Sequence, residues 1–146
     1  MPIVEGKYVC KISEIYDPEQ GIEALKEEVK KVRNVRLQNI PDDLMKDLMP
    51  LLKGKKVRII LPPEAKSSKE LQEIGQVAIA SSKADIYHVY KGKKVHVGGI
   101  YLPKIFFSAT PVDGEIVQVS TLEHSKCVKC MNQTFEFGWK RSKKVK

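Results

Sequence analysis

Apolar residues recur along this chain at two different periods, and each change of period marks a new element. In "PEQGIEALKEEVKKVRN", residues 18–34, Ile22, Leu25, Val29 and Val32 follow at steps of three and four. That spacing gathers them on one side of an α-helix. Pro18 opens the segment, Glu23, Glu27 and Glu28 precede Lys30, Lys31 and Arg33, and Asn34 ends it. The order of charge complements a helix dipole. "VRLQNIP" then alternates as a short strand does. "DDLMKDLMPLL", residues 42–52, restores a helical pattern, with Asp42 and Asp43 at its start and Pro50 disturbing its end.

"GKKVRIILPP", residues 54–63, predicts the plainest strand: a turn leads into Val57, Ile59, Ile60 and Leu61, and two prolines stop it. A nearly continuous apolar run of this kind belongs to a strand covered on both faces. "SSKELQEIGQVAIASSK", residues 67–83, predicts a third helix, with a serine cap, Glu70 in the first turn, and Leu71, Ile74, Val77 and Ala78 along one side. "ADIYHVYKGKKVHVGGIYL" has two β-rich runs about a Lys-Gly turn, and "KIFFSATPVDGEIVQVST" has two about "VDG"; both predict hairpins. Residues 121–137 predict a last helix, with Val128, Met131 and Phe135 on one side and Trp139 just beyond it. "PIVEGKYVCKI" predicts a strand near Tyr8–Ile12.

Strands alternating with helices over residues 18–82 specify an α/β fold. The expectation is a mixed, mostly parallel sheet with helices on both faces. It forms a single domain over 1–146, ending in a basic tail at 141–146. A chain of 146 residues is long enough to bury one good core.

Composition narrows the setting. No apolar run approaches the roughly 18 residues of a membrane helix, so the chain is expected to make no membrane contact. The first residues mix charges early and lack the apolar core of a signal peptide, and the three cysteines are an odd number. Both observations predict a cytoplasmic, reducing location. The net charge of +8 admits nucleic acid as a partner. The lysines are nevertheless spread over "KEEVKKVR", "LKGKKVR", "YKGKKVH" and "KRSKKVK", which reads first as solvated surface, and nucleic acid as the lesser expectation.

The densest candidate chemistry is "HSKCVKCM", residues 124–131. His124, Cys127 and Cys130, with Cys10 as a fourth donor, make up a Cys3His set of the kind that holds zinc. On a helix, however, His124 and Cys130 point about 120° apart, and neither glycine nor proline interrupts the segment. The expectation is therefore reduced, metal-free cysteines packed at the edge of a core, with no cofactor. A metal- or thiol-based redox sensor built on Cys127 and Cys130 is the alternative. His88 and His96 sit in β-rich runs and read as sheet-face residues, and "VGG" lacks the spacing of a phosphate loop.

The order of elements adds a resemblance. The helix and strand of "GIEALKEEVKKVRNVRLQNIP", the following "LMKDLMPLLKGKKVRIIL", the strand "ADIYHVY" and "FFSATPVDGEIVQVS" resemble one half of a phospholipase D-like domain. In particular the chain is similar, over residues 18–140, to the C-terminal effector domain of archaeal TrmB-type transcription regulators. The phospholipase D family carries H-x-K-x4-D, in which histidine attacks phosphorus and lysine binds phosphate. With Asp113 of "VDGE" in the aspartate position, the histidine position holds Phe106 and the lysine position Ser108. A second register puts His124 and Lys126 at H-x-K spacing, but Met131 then replaces the aspartate. Neither register is complete, so the resemblance implies no catalytic residues and no enzyme. It implies instead a freestanding, non-catalytic sensor or interaction domain in transcription regulation, without the DNA-binding winged helix of such regulators. Its expected partners are a small-molecule ligand or a regulatory protein, and a second copy in a two-fold homodimer.

Overall fold

The computed structural model describes residues 12–65, 69–81, 87–96, 98–112 and 115–145, with the backbone alone over 87–90 and 93–96. Of the strand expected near Tyr8–Ile12, all but Ile12 falls outside the described residues, as does the Asp113–Gly114 turn.

After β1 (Glu14–Tyr16), α1 (Pro18–Lys31) begins where Asp17 accepts a hydrogen bond from the Gln20 amide at 2.9 Å. Asp17 thereby satisfies one of the four free donors at the helix start. Proline at the first helical position costs nothing there. β2 (Asn34–Gln38), α2 (Asp42–Leu52) and β3 (Lys56–Leu61) follow as their patterns predict, with Pro50 in the last turn of α2.

The third helix is shorter than its pattern. α3 covers only Lys69–Ile74, and Gln76–Ile79 is a strand, β4. Leu71, Ile74, Val77 and Ala78 share helical spacing, but "VAIA" is equally a short buried strand, and periodicity alone does not separate the two. Gly75 decides between them. A Cβ there would lie 2.4 Å from the Val57 carbonyl oxygen, so only glycine lets the chain turn against β3 and run beside it.

β5 (Tyr87–Tyr90) and β6 (Lys93–His96) form the expected hairpin. Its turn residues Lys91 and Gly92 have φ of 49° and 78°, the left-handed pair that matches strand twist in a two-residue loop. β7 (Gly98–Tyr101), β8 (Phe106–Val112) and β9 (Glu115–Leu122) then run antiparallel, with a register shift at Thr110/Pro111. The last helix, α4 (Ser125–Lys140), starts later than expected because Thr121 and Leu122 still belong to β9, and it includes Trp139. β10 (Lys143–Val145) lies within the segment read as a basic tail and pairs with β4.

The main sheet has the order β1-β9-β8-β7-β2-β3-β4-β10. Only β2–β3 and β3–β4 are parallel, so the expectation of a mostly parallel sheet is corrected: the sheet is mixed and mostly antiparallel. Helix-and-strand alternation ends at β4. β7, arriving from the hairpin region, inserts beside β2 antiparallel rather than continuing the series.

Helices cover both faces, as expected. On one, Leu25 and Val29 of α1 and Leu44, Leu48 and Leu52 of α2 pack on Val35, Leu37, Val57, Ile59, Ile100 and Phe107. On the other, Phe135, Met131 and Trp139 of α4 pack on Ile60, Tyr101 and Phe106. Ile59 and Ile60 enter opposite layers, which is why the β3 run is apolar at consecutive positions. Among the described residues no helix is long and apolar enough to cross a membrane.

Candidate functional site

Of the positions singled out by the first motif register, Phe106 and Ser108 lie on β8, which pairs with β9. Phe106 pairs with Leu122, Ser108 with Ser120, and Thr110 with Gln118. Phe106 is buried, with its ring 4.9 Å from that of Tyr101, so this position belongs to the core beside α4. Ser108 is half-buried; Asp113 is outside the described residues. The Thr121 hydroxyl is buried and has no hydrogen-bond partner among the described residues.

The second register is split by a change of structure. His124 caps α4, its Nδ1 accepting from the Lys126 amide at 3.3 Å, so the pair does not share a strand as the family motif requires. Cys127 is buried and held in a disulfide, which corrects the expectation of reduced cysteines, while Cys130 is a free, half-buried thiol. Cys10 lies outside the described residues. No group of three or more His, Cys, Asp or Glu able to hold a metal occurs among the described residues. His88 and His96 are placed on β5 and β6.

Sequence reasoning missed the most highly organised polar cluster. Arg36 in β2 and Arg58 in β3 are register partners on the α4 side of the sheet. Two neighbouring guanidinium groups repel, and α4 supplies the counter-charge. Arg58 grips Glu136 with both terminal nitrogens, one of them donating to Oε2 at 3.1 Å. The Arg36 Nε lies 3.5 Å from Glu136 Oε1, and its NH1 donates to Asn132 Oδ1 at 2.6 Å. Asn132 is fixed in turn, its Nδ2 donating to the carbonyls of Val128 (3.0 Å) and Leu102 (3.3 Å).

The Arg58 guanidinium also lies 5.3 Å from the ring centres of both Phe135 and Trp139. The hydrogen bond from Arg58, aided by the charges of Arg58, Arg36 and Lys140, holds the Glu136 carboxyl below its ordinary range. Desolvation, followed by the charge of Arg58, lowers the pKa of Arg36. Burial pushes the Tyr101 phenol up; its hydroxyl donates to Gln38 Oε1 at 3.1 Å.

Two clefts meet at this cluster. One, of about 650 Å³, is lined by Asn34, Arg36, Lys55, Lys56, Arg58 and Gln76 among others. The second, of about 610 Å³, shares Asn34 and Arg36 and extends to Lys104, Lys129 and Asn132. The signal that marks this site in the sequence is a lone arginine inside each of two apolar strands, "NVRLQ" and "KVRIIL". A charge in such a position needs a partner.

No protein-family model matches the chain, and no curated protein matches its sequence. The fold does match solved structures, and it is phospholipase D-like. NucT from Helicobacter pylori superposes with a TM-score of 0.64 at 10% identity, covering 92% of this chain and 100% of that one. Nuc from Salmonella typhimurium, a phospholipase D family member, gives 0.63 at 10% identity over 93% and 99%. TrmBL2, an archaeal chromatin protein, gives 0.59 at 14% identity, covering 97% of this chain and 57% of that one. These likenesses bear out the resemblance to both phospholipase D-like and TrmB-type domains. They overturn the expectation that the chain is not an enzyme: along its length it shares the fold of NucT and of Nuc, a phospholipase D family member.

Proposed function

We propose that this chain is a phospholipase D-like domain that binds nucleic acid along α4 and β10. The observation that carries the proposal is where the charge lies. Residues 125–146 hold Lys126, Lys129, Lys140, Arg141, Lys143, Lys144 and Lys146 against Glu136 alone, a net +6 of the chain's +8. Lys126, Lys129, Lys140, Arg141, Lys143 and Lys144 are all exposed. Most of the net positive charge therefore sits on α4 and β10, and a surface of that kind gains free energy by releasing counterions from a phosphate backbone. The likeness to TrmBL2, described as having a novel mode of DNA binding, supports the same reading.

The test is fluorescence anisotropy with a labelled DNA duplex and a labelled single-stranded RNA across a salt series. The logarithm of affinity should fall linearly with the logarithm of salt, with slope about −0.9 per phosphate neutralised on duplex DNA. Lys140→Gln, Arg141→Gln and Lys143→Gln together should reduce the slope by about 2–3. Binding indifferent to salt, or unchanged in the triple variant, would remove the proposal.

A second reading concerns assembly. Half-buried Ser108, Thr110, Gln118 and Ser120 lie on the α4 side of β8 and β9, next to exposed Ile15. This strip supports a two-fold homodimer in which a second copy covers it. Light scattering at tens of micromolar should give twice the 16.5 kDa chain mass, and a monomer would dismiss this reading.

A further inference from the structure

We infer that the cleft at the start of β2, β3 and β4 is a binding site for a phosphomonoester dianion, and that Glu136 competes with this ligand for Arg36 and Arg58. The cleft is lined by Arg36, Lys55, Lys56 and Arg58, and by no acidic residue among those described. Glu136 reaches the two arginines from α4 and brings one negative charge against their two positive ones. Lys56, which is exposed, adds a further positive charge at the head of β3, and the Lys55 ammonium, bonded to the Val32 carbonyl, stands beside it. The excess suits a ligand group carrying close to two negative charges, as a phosphomonoester does near neutral pH, better than the single charge of a diester.

The geometry favours a planar, forked contact. Arg58 rests between its carboxylate and the Phe135 and Trp139 rings, so its guanidinium plane is set before any ligand arrives. A guanidinium arranged to grip a carboxylate with two nitrogens grips a phosphate in the same way. Asn34 and Gln76 add neutral polar groups, and Val57 and Ile74 an apolar part of the wall. The volume of about 650 Å³ far exceeds a phosphate ion and falls in the range of small-molecule sites, so the phosphate is carried by an organic group. A free nucleotide and a phosphorylated strand end both have this chemistry. The site goes beyond the nucleic-acid reading, because none of Lys126, Lys140, Arg141 and Lys143 lines it.

Trp139 is the chain's one tryptophan and stacks by Arg58, so its fluorescence reports on the cluster. The full chain is titrated with a nucleoside 5′-monophosphate, the matching nucleoside, and a short single strand with and without its 5′-phosphate. The expected result is a saturable change with each phosphorylated ligand and none with the nucleoside. Tighter binding by the mononucleotide assigns the site to free nucleotides, and tighter binding by the phosphorylated strand assigns it to strand ends. Glu136→Gln should tighten monophosphate binding about tenfold, and Lys56→Gln, at an exposed position that leaves folding intact, should weaken it about threefold to tenfold. The Lys140, Arg141 and Lys143 triple variant should keep monophosphate binding whether or not it binds duplex, which separates this site from the α4–β10 surface. Equal responses to nucleoside and monophosphate, weaker binding in Glu136→Gln, no effect of Lys56→Gln, or loss of monophosphate binding in the triple variant would each overturn the inference.

Discussion

Phe135→Ala asks how firmly α4 belongs to the domain. Phe135 is fully buried and packs with Ile60, Ala80, Tyr101 and Phe106. Its ring centre is 5.1 Å from that of Tyr101 and 6.1 Å from that of Trp139, and Arg58 lies over it. Truncating a buried phenylalanine costs about 3–5 kcal/mol. Two ring pairs, each worth about 0.5–1.5 kcal/mol, place this site toward the upper end of that range. At about 2–4 °C per kcal/mol for a chain of this length, the midpoint of thermal unfolding should fall by roughly 10–15 °C. Phe137→Ala, two residues along the same helix at a side chain 56% exposed, should change stability by less than about 1 kcal/mol. Thermal and urea unfolding followed by circular dichroism measure both. If Phe135→Ala melts with the wild type, or falls no further than Phe137→Ala, α4 is not the second covering layer of this sheet.

Gly75→Ala should lower the urea midpoint by the equivalent of about 1–3 kcal/mol, since its methyl group meets the Val57 carbonyl and backbone there has nowhere to move; wild-type stability would mean that β4 does not turn in against β3. The folded-state pKa of Glu136 is depressed, so its contribution to stability is fully present above the ordinary glutamate value near 4.3 and is lost as pH falls through the folded value. Acid unfolding of Glu136→Gln should lack that component of the wild-type curve, and superimposable acid limbs would show that the arginines do not hold the carboxylate in solution. Without reductant, iodoacetamide should label Cys130 and leave Cys127 untouched until the protein is reduced, as mass spectrometry of peptides would show; early labelling of Cys127 would contradict its disulfide.

Local grammar was readable where one segment decides its own structure. The acid-to-base order and apolar stripe of α1, the run of β3 and the Lys91–Gly92 turn are each stated within a few neighbouring residues. The structure departs from the pattern where a distant segment decides. "QVAI" is a strand because β3 and β10 lie on either side of it, and "EIY" and "KKV" are strands only because β9 and β4 offer them edges. The pattern predicts a mostly parallel sheet because helix-strand alternation ends without a local mark, and the place where β7 inserts is not written beside it. The arginine–glutamate cluster is only half legible for the same reason: the strand arginines signal that a partner is needed, but not which one. Its members stand at positions 36, 58, 132 and 136, and nothing in their own neighbourhoods announces that they meet. The cysteines and His124, adjacent in sequence and conspicuous there, are separated by their roles in the fold: a helix cap, a buried disulfide and a free thiol.

The two outermost strands also set an order of assembly. β2, β3 and β4 pair with one another among near neighbours in the chain, so this part can form, with α1 and α2, while later residues are still emerging from a ribosome. β1 cannot follow it, because Glu14 pairs with Thr121 and most of the chain must be made before that partner exists. The open side of β4 likewise waits for Lys143–Val145. The nascent chain therefore carries a half-sheet with unpaired borders until β7 and β10 are translated. A pause in translation within α4 would prolong the interval in which another chain could occupy the border at β4 instead.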